Sequence, residues 1–176
     1  MRRISQLALV ASLAFFAAPA GAAIIYLEAD LDGLQETPPV ATPAVGHASI
    51  MYDDVSNLLT WSGTFSGLIG TTTDAHFHGP AAPGVGPAGV LVPMTFAGGG
   101  DVFPLSVTAG AFSGTATLSA LNETRLLADL LYINIHSTFR PGGEIRGQVT
   151  VVPEPRTLVL AALGLGALAA RRRARS

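Results

Sequence analysis

Cysteine and lysine are both missing from this chain. Without cysteine there can be no disulfide, thiol nucleophile, thiolate metal site or haem attachment by the usual motif, and any folded body must be held by its core alone. Without lysine, all ten basic residues are arginine, and most lie near the ends: Arg2 and Arg3, then Arg156, Arg171, Arg172, Arg173 and Arg175. The stretch between, Ile24 to Val152, keeps Arg125, Arg140 and Arg146 against eleven acidic residues, a net charge of −8. A surface of that sign repels nucleic acid and anionic lipid headgroups, which excludes nucleic-acid functions. Catalytic signatures are scarce as well. No G-x-S-x-G elbow occurs, no pair of acids stands out, and the glycine runs fall between strand-like segments rather than opening a helix, so hydrolase and nucleotide-fold patterns have no support.

What is present begins with two terminal segments that read as addresses. Arg2 and Arg3 precede an apolar stretch, Leu7 to Ala18, and the small residues Pro19-Ala20-Gly21-Ala22-Ala23. This is the three-part pattern of a secretory signal peptide over residues 1–23, with signal peptidase as the expected processing partner. At the other end Pro153, Glu154 and Pro155 precede an apolar stretch from Leu158 to Ala170 and the arginine cluster. Two prolines so close stop a strand or helix from running through, so the body ends near Val152. The apolar stretch is short for a full span, and its arginines would stay cytoplasmic, leaving the body on the far side of the membrane.

The body of about 129 residues is enough for one domain. Period-two alternation marks strands at Ile25 to Leu31, Gly46 to Tyr52, Leu58 to Ser66, Thr72 to His78, Gly89 to Thr95, Asp101 to Leu105, Ala111 to Leu118, Tyr132 to Ser137 and Glu144 to Val151. Turn clusters such as Thr37-Pro38-Pro39, Gly98-Gly99-Gly100 and Pro141-Gly142-Gly143 separate them. Only Glu123 to Leu131 reads as a helix. The expected fold is all-β, a single antiparallel β-sandwich with Greek-key-like connections. Trp61 alternates with Leu59 and Phe65 and is expected in the core.

Histidines concentrate in two of these segments. Alternation puts Thr72, Asp74, His76 and His78 on one face, opposite Ala75 and Phe77, and Tyr132, Asn134 and His136 opposite Ile133 and Ile135. Beyond the Pro141-Gly142-Gly143 turn, Glu144, Arg146 and Gln148 oppose Ile145 and Val149. His76 and His78 stand on one side of one strand, and His136 supplies a third imidazole if its strand lies alongside. Three imidazoles without a thiolate suit zinc or copper(II), with Asp74 and Glu144 as supporting oxygens and His47 as an unplaced fourth ligand. The same residues also make sense as an ion-free polar network of Asp74, Asn134, Glu144 and Arg146 around the rings. The loop GPAAPGVGPAG, residues 79–89, reads either as a plain connection or as a rim over the histidine face.

The ordered pair AHFHGPA (residues 75–81) and YINIHS…PGGEIRGQV (residues 132–149), with LLTWSGTFSGL ahead of the first and GTATL between the two, resembles the CHRD domain, named from chordin, from about Leu27 to Val149. That resemblance implies an extracellular module and no particular reaction. The tail resembles the PEP-CTERM sorting signal of Gram-negative bacteria. It implies cutting by an exosortase near Pro153-Glu154-Pro155, a transient membrane anchor and a context of exopolysaccharide and biofilm; a plain C-terminal anchor is the alternative. The function expected is a surface- or matrix-associated, non-catalytic binding or structural module, with extracellular polysaccharide or surface proteins as partners. The alternative is a zinc or copper protein, possible redox activity included, built on His76, His78 and His136.

Overall fold

Strand alternation is cleanest in the first half of the domain, and the computed structural model follows it closely. The structure describes residues 23–94 and 102–152. The leader and the Pro153-Glu154-Pro155 tail with its apolar stretch lie outside the described residues. β1 (Ile24–Asp32), β2 (Val45–Asp53) and β3 (Leu58–Ser66) form an antiparallel meander in unbroken register, with Leu27 opposite Ile50 and Ile50 opposite Trp61. Their inward residues, Leu27, Ala29, Leu31, Ala48, Ile50, Tyr52, Leu59, Trp61 and Phe65, are buried. The period-two pattern buries one face and leaves the polar one to water.

β4 (Thr72–His78), β5 (Val90–Pro93), β6 (Gly110–Thr117), β7 (Tyr132–Ser137), β8 (Ile145–Gln148) and β9 (Thr150–Val151) complete the fold, together with one helix, α1 (Ala120–Leu127). The sheet runs in the order β5-β4-β7-β8-β1-β2-β3-β6, with β9 paired to β1. All pairings are antiparallel. The order shows why the sheet nearly closes into a barrel or sandwich: β3 leads to the distant β4, and the segment before β6 returns to meet it. Ser106 donates its amide to Thr72 O at 2.9 Å, the Thr72 amide donates to Val107 O at 2.8 Å, and Val102 bridges Ser113 of β6. Across the interior, Trp61 of β3 meets Phe77 of β4 edge to face with centroids 5.1 Å apart.

Several expected boundaries shift for local reasons. The strand expected at Asp101 to Leu105 reduces, among described residues, to the single Val102 bridge. The last strand divides at Val149, whose amide donates to Leu131 O: β8 pairs with β7 and β1, and beyond the break Val151 pairs with Leu27 of β1. The helix starts three residues earlier than expected, since Ser119 caps it by accepting the Asn122 amide at 3.3 Å, and it stops before Asp129, which has φ 55°. A short 3-10 turn, Gly33–Gln35, capped by Asp32, had no counterpart in the strand and helix pattern.

One half of the sheet departs from simple two-sidedness. On β7 and β8 nearly every residue is buried. Ile133, Ile135 and Ile145 face the core, while the opposite, polar face is roofed by the 33–44 and 79–89 segments and the 138–143 turn. That roof is what buries His78, Asn134, Arg146 and Gln148.

Candidate metal centre

β4 and β7 are neighbours, and their register sets Asp74 opposite His136 and His76 opposite Asn134. His76, His78 and His136 therefore lie on one face, and one ring nitrogen from each falls within 4.8 Å of the other two. The rings of His76 and His136 are centred 5.0 Å apart, those of His76 and His78 5.2 Å.

The second nitrogen of each ring is already committed. His78 Nδ1 lies 3.0 Å from the Ala88 carbonyl and His136 Nδ1 lies 2.9 Å from the Pro141 carbonyl. Carbonyl oxygens only accept, so in both rings the proton sits on Nδ1 and Nε2 carries a lone pair. His76 Nε2 is 3.1 Å from Asp74 Oδ2, which places its proton on Nε2 and its lone pair on Nδ1. His76 Nδ1 and His136 Nε2 face each other at 3.1 Å, and His78 Nε2 is buried with no hydrogen-bond partner. Two nitrogens held tetrahedrally by one ion at about 2.0–2.1 Å are about 3.3 Å apart, close to the separation of the first pair. Burial lowers the pKa of His78 and of His136 below the ordinary imidazole value, with the carbonyl hydrogen bonds opposing, so both rings favour the neutral form that a metal requires.

The other expected participants part company. Thr72 shares no face with the histidines: a β-bulge between Thr72 and Asp74 turns it inward opposite Ser137, where its hydroxyl donates to Pro104 O. Glu144 also leaves the histidine face. It precedes the first residue of β8, so alternation does not yet govern it. Its buried carboxylate accepts from Ser137 Oγ, Thr42 Oγ1 and the amides of Ile69 and Gly70. Burial raises its pKa, and these donors more than offset that, leaving it below the usual carboxylate value. His47 stands elsewhere on the exposed face of β2, 2.7 Å from Asp30, and is no fourth ligand.

Asn134 and Arg146 stay on the histidine face but do not bond the rings or Glu144. Asn134 Nδ2 donates to Glu36 Oε2 at 3.3 Å. Arg146 donates to Thr37 Oγ1, Val85 O, Ala82 O and Gln148 Oε1, and its guanidinium lies 3.7 Å from the Tyr132 ring centroid. Two participants were missed. Tyr132 lay on the right face of the alternation, yet its role depends on stacking against His78, which no spacing reveals. Glu36 had no signal at all, since an acid ahead of Thr37-Pro38-Pro39 reads as an ordinary turn residue.

An all-β domain with a roofed, histidine-bearing sheet face is thus the class that fold and site define. The CHRD domain model matches residues 27–149, and the chain belongs to that family. No curated protein and no solved structure matches the chain.

Proposed function

We propose that this domain is a non-catalytic metal-binding module that takes one zinc or copper(II) ion on His76 Nδ1, His78 Nε2 and His136 Nε2. The observation that carries this reading is the tautomer pattern: each ring spends one nitrogen on a hydrogen-bond acceptor and leaves the other unprotonated, in a cluster where one nitrogen from each ring lies within 4.8 Å of the other two. Acceptors behind ligating histidines fix ring orientation and raise ligand basicity, the arrangement metal sites use. An ion-free network would place donors opposite these lone pairs, and for His78 Nε2 there is none.

The location belongs to the same proposal. The leader-like N-terminus and the Pro153-Glu154-Pro155 tail support export by signal peptidase and sorting by an exosortase to the surface or matrix of a Gram-negative bacterium. There the module would bind among exopolysaccharide and surface proteins.

Calorimetric titration of the domain with zinc and copper(II), with melting curves alongside, tests the metal. One ion per chain is expected. A ligand that binds only the folded state stabilises it by about 2.7 kcal/mol at a hundredfold excess over Kd, so the melting temperature should rise in wild type and not in His78→Ala. Wild-type curves indifferent to both metals at saturation would leave a shared proton between His76 and His136 as the account of their 3.1 Å contact, and a metal-free binding module as the function.

A further inference from the structure

Of the three ligands, only His78 is oriented by the long Gly/Pro-rich segment. Its acceptor, Ala88 O, sits near the end of residues 79–89, a stretch with no charged side chain and little bulk to pack. Backbone bonds secure its base, with Gly79 N donating to Gly89 O and Ala81 N to Leu130 O. The rest is held from outside by two side chains of the sheet. Arg146 Nη1 donates to Val85 O at 2.8 Å and Nη2 to Ala82 O at 3.3 Å. Tyr132 Oη accepts the Ala88 amide at 3.1 Å.

The same two side chains form a stack on the ligand, Tyr132 against His78 and Arg146 against Tyr132. The Tyr132 ring lies nearly parallel to His78, at 10° with centroids 5.2 Å apart, and Arg146 covers the Tyr132 ring. Arg146 is 1% exposed, and its hydrogen bonds go to carbonyls, a hydroxyl and an amide oxygen rather than to a carboxylate. A buried guanidinium is costly unless its fork is filled, and here the loop carbonyls and the ring face fill it. Gly86 leaves room for this: a Cβ there would lie 3.0 Å from Arg146 Nη1.

We propose that Arg146 and Tyr132 are positioning residues for the metal centre, fixing the 79–89 segment so that Ala88 O holds His78 as the tautomer with Nε2 free. The purpose rests on the metal reading above; the geometry does not. ¹⁵N NMR of the histidine rings in metal-free protein tests the geometry, and copper and zinc titration tests the consequence. Wild-type His78 should carry its proton on Nδ1. Tyr132→Phe keeps the ring and removes only the acceptor for the Ala88 amide, and Arg146→Met removes the fork. Both should give mixed His78 tautomers while His136, oriented by Pro141 O, keeps its own. Metal affinity should then fall about ten- to a hundredfold, the range for lost supporting contacts. Tyr132→Phe keeps the test open if Arg146→Met fails to fold. Unchanged His78 tautomer in Tyr132→Phe together with unchanged metal affinity would overturn the inference. A tautomer shift in a protein that takes up no metal would uphold the positioning and sink the metal reading instead.

Discussion

Glu36 is a carboxyl that burial pushes up to about 7, against the opposing pull of Arg146 and the Asn134 hydrogen bond. Its Oε1 and the Asn134 Oδ1 are both buried without a partner. Both also crowd one point: a Cβ on Gly143 would lie 2.5 Å from Glu36 Oε1 and 2.3 Å from Asn134 Oδ1. A proton on Glu36, which its raised pKa favours, removes the conflict of two unpartnered acceptors, while Asn134 Nδ2 donates to Oε2. The sign for stability follows from a folded pKa raised above the ordinary 4.5. The contribution is complete below the unfolded value and is lost as pH rises through about 7. Glu36→Gln, which keeps a donor at every pH, should therefore match wild type near pH 4 and exceed it by up to about 3 kcal/mol above pH 8. Urea denaturation at both pH values checks this; equal stability at the higher pH would mean that Glu36 is already ionised in the fold. Glu144 has the opposite sign, since its lowered pKa makes a contribution present above 4.5 and lost as pH falls through the folded value. Glu144→Gln turns an amide NH₂ toward donors and should cost about 2–4 kcal/mol at pH 7, with the gap to wild type narrowing in acid. Gly143 is held by the same cluster from the backbone side: at φ 131° with Asn134 and Glu36 against it, it leaves no place for a side chain.

At the level of elements, what was legible was what alternation governs. β1 through β7 lie within a residue or two of their expected limits, because each buries one apolar face and the period-two code is direct. Tertiary pairing decided the rest. β9 is separate from β8 because the Val149 amide between them turns to Leu131 O, and the bulge that turns Thr72 inward is visible only once Ser137 and His136 are seen opposite. The helix boundary, by contrast, was readable from Ser119, whose hydroxyl accepts the Asn122 amide and stands one residue ahead of Ala120. Ser119→Ala should lower stability by about 1 kcal/mol, the usual cost of losing such a cap, and far-UV dichroism during thermal melting would register it. No change would indicate that the packing of Leu126, fully buried, holds the helix without the cap.

For the whole molecule, the histidine cluster was legible because both strands alternate and happen to be neighbours. The roof over it was not, because the loops that build it have no periodic code and reach the sheet through carbonyls rather than through recognisable side chains. The polar residues of the PGGEIRGQ segment looked like one network and are two: Glu144 under the sheet end, and Arg146 with Gln148 against the 79–89 segment, Gln148 donating also to Asp129 O and Leu131 O. Arg146 and Gln148 are joined, Arg146 Nη2 donating to Gln148 Oε1 at 3.1 Å, while Glu144 shares only the chain segment with them. Beneath them runs a single core cluster that includes Leu27, Trp61, Phe77 and Ile133, so both halves of the sheet depend on one interior. Trp61 sits where they meet, 1% exposed and edge-on to Phe77, one residue before the strand ends at His78. Removing the indole leaves a cavity against β4 and should cost about 3–5 kcal/mol in Trp61→Ala, with Trp61→Phe losing much less. Because the core is shared, the loss should appear as one cooperative transition at a lower denaturant midpoint, identical by far-UV dichroism and by Tyr52 and Tyr132 fluorescence. Two separate transitions would show instead that the meander of β1 to β3 and the roofed strands β4, β7 and β8 fold as distinct units, and the metal would then be expected to stabilise only the second.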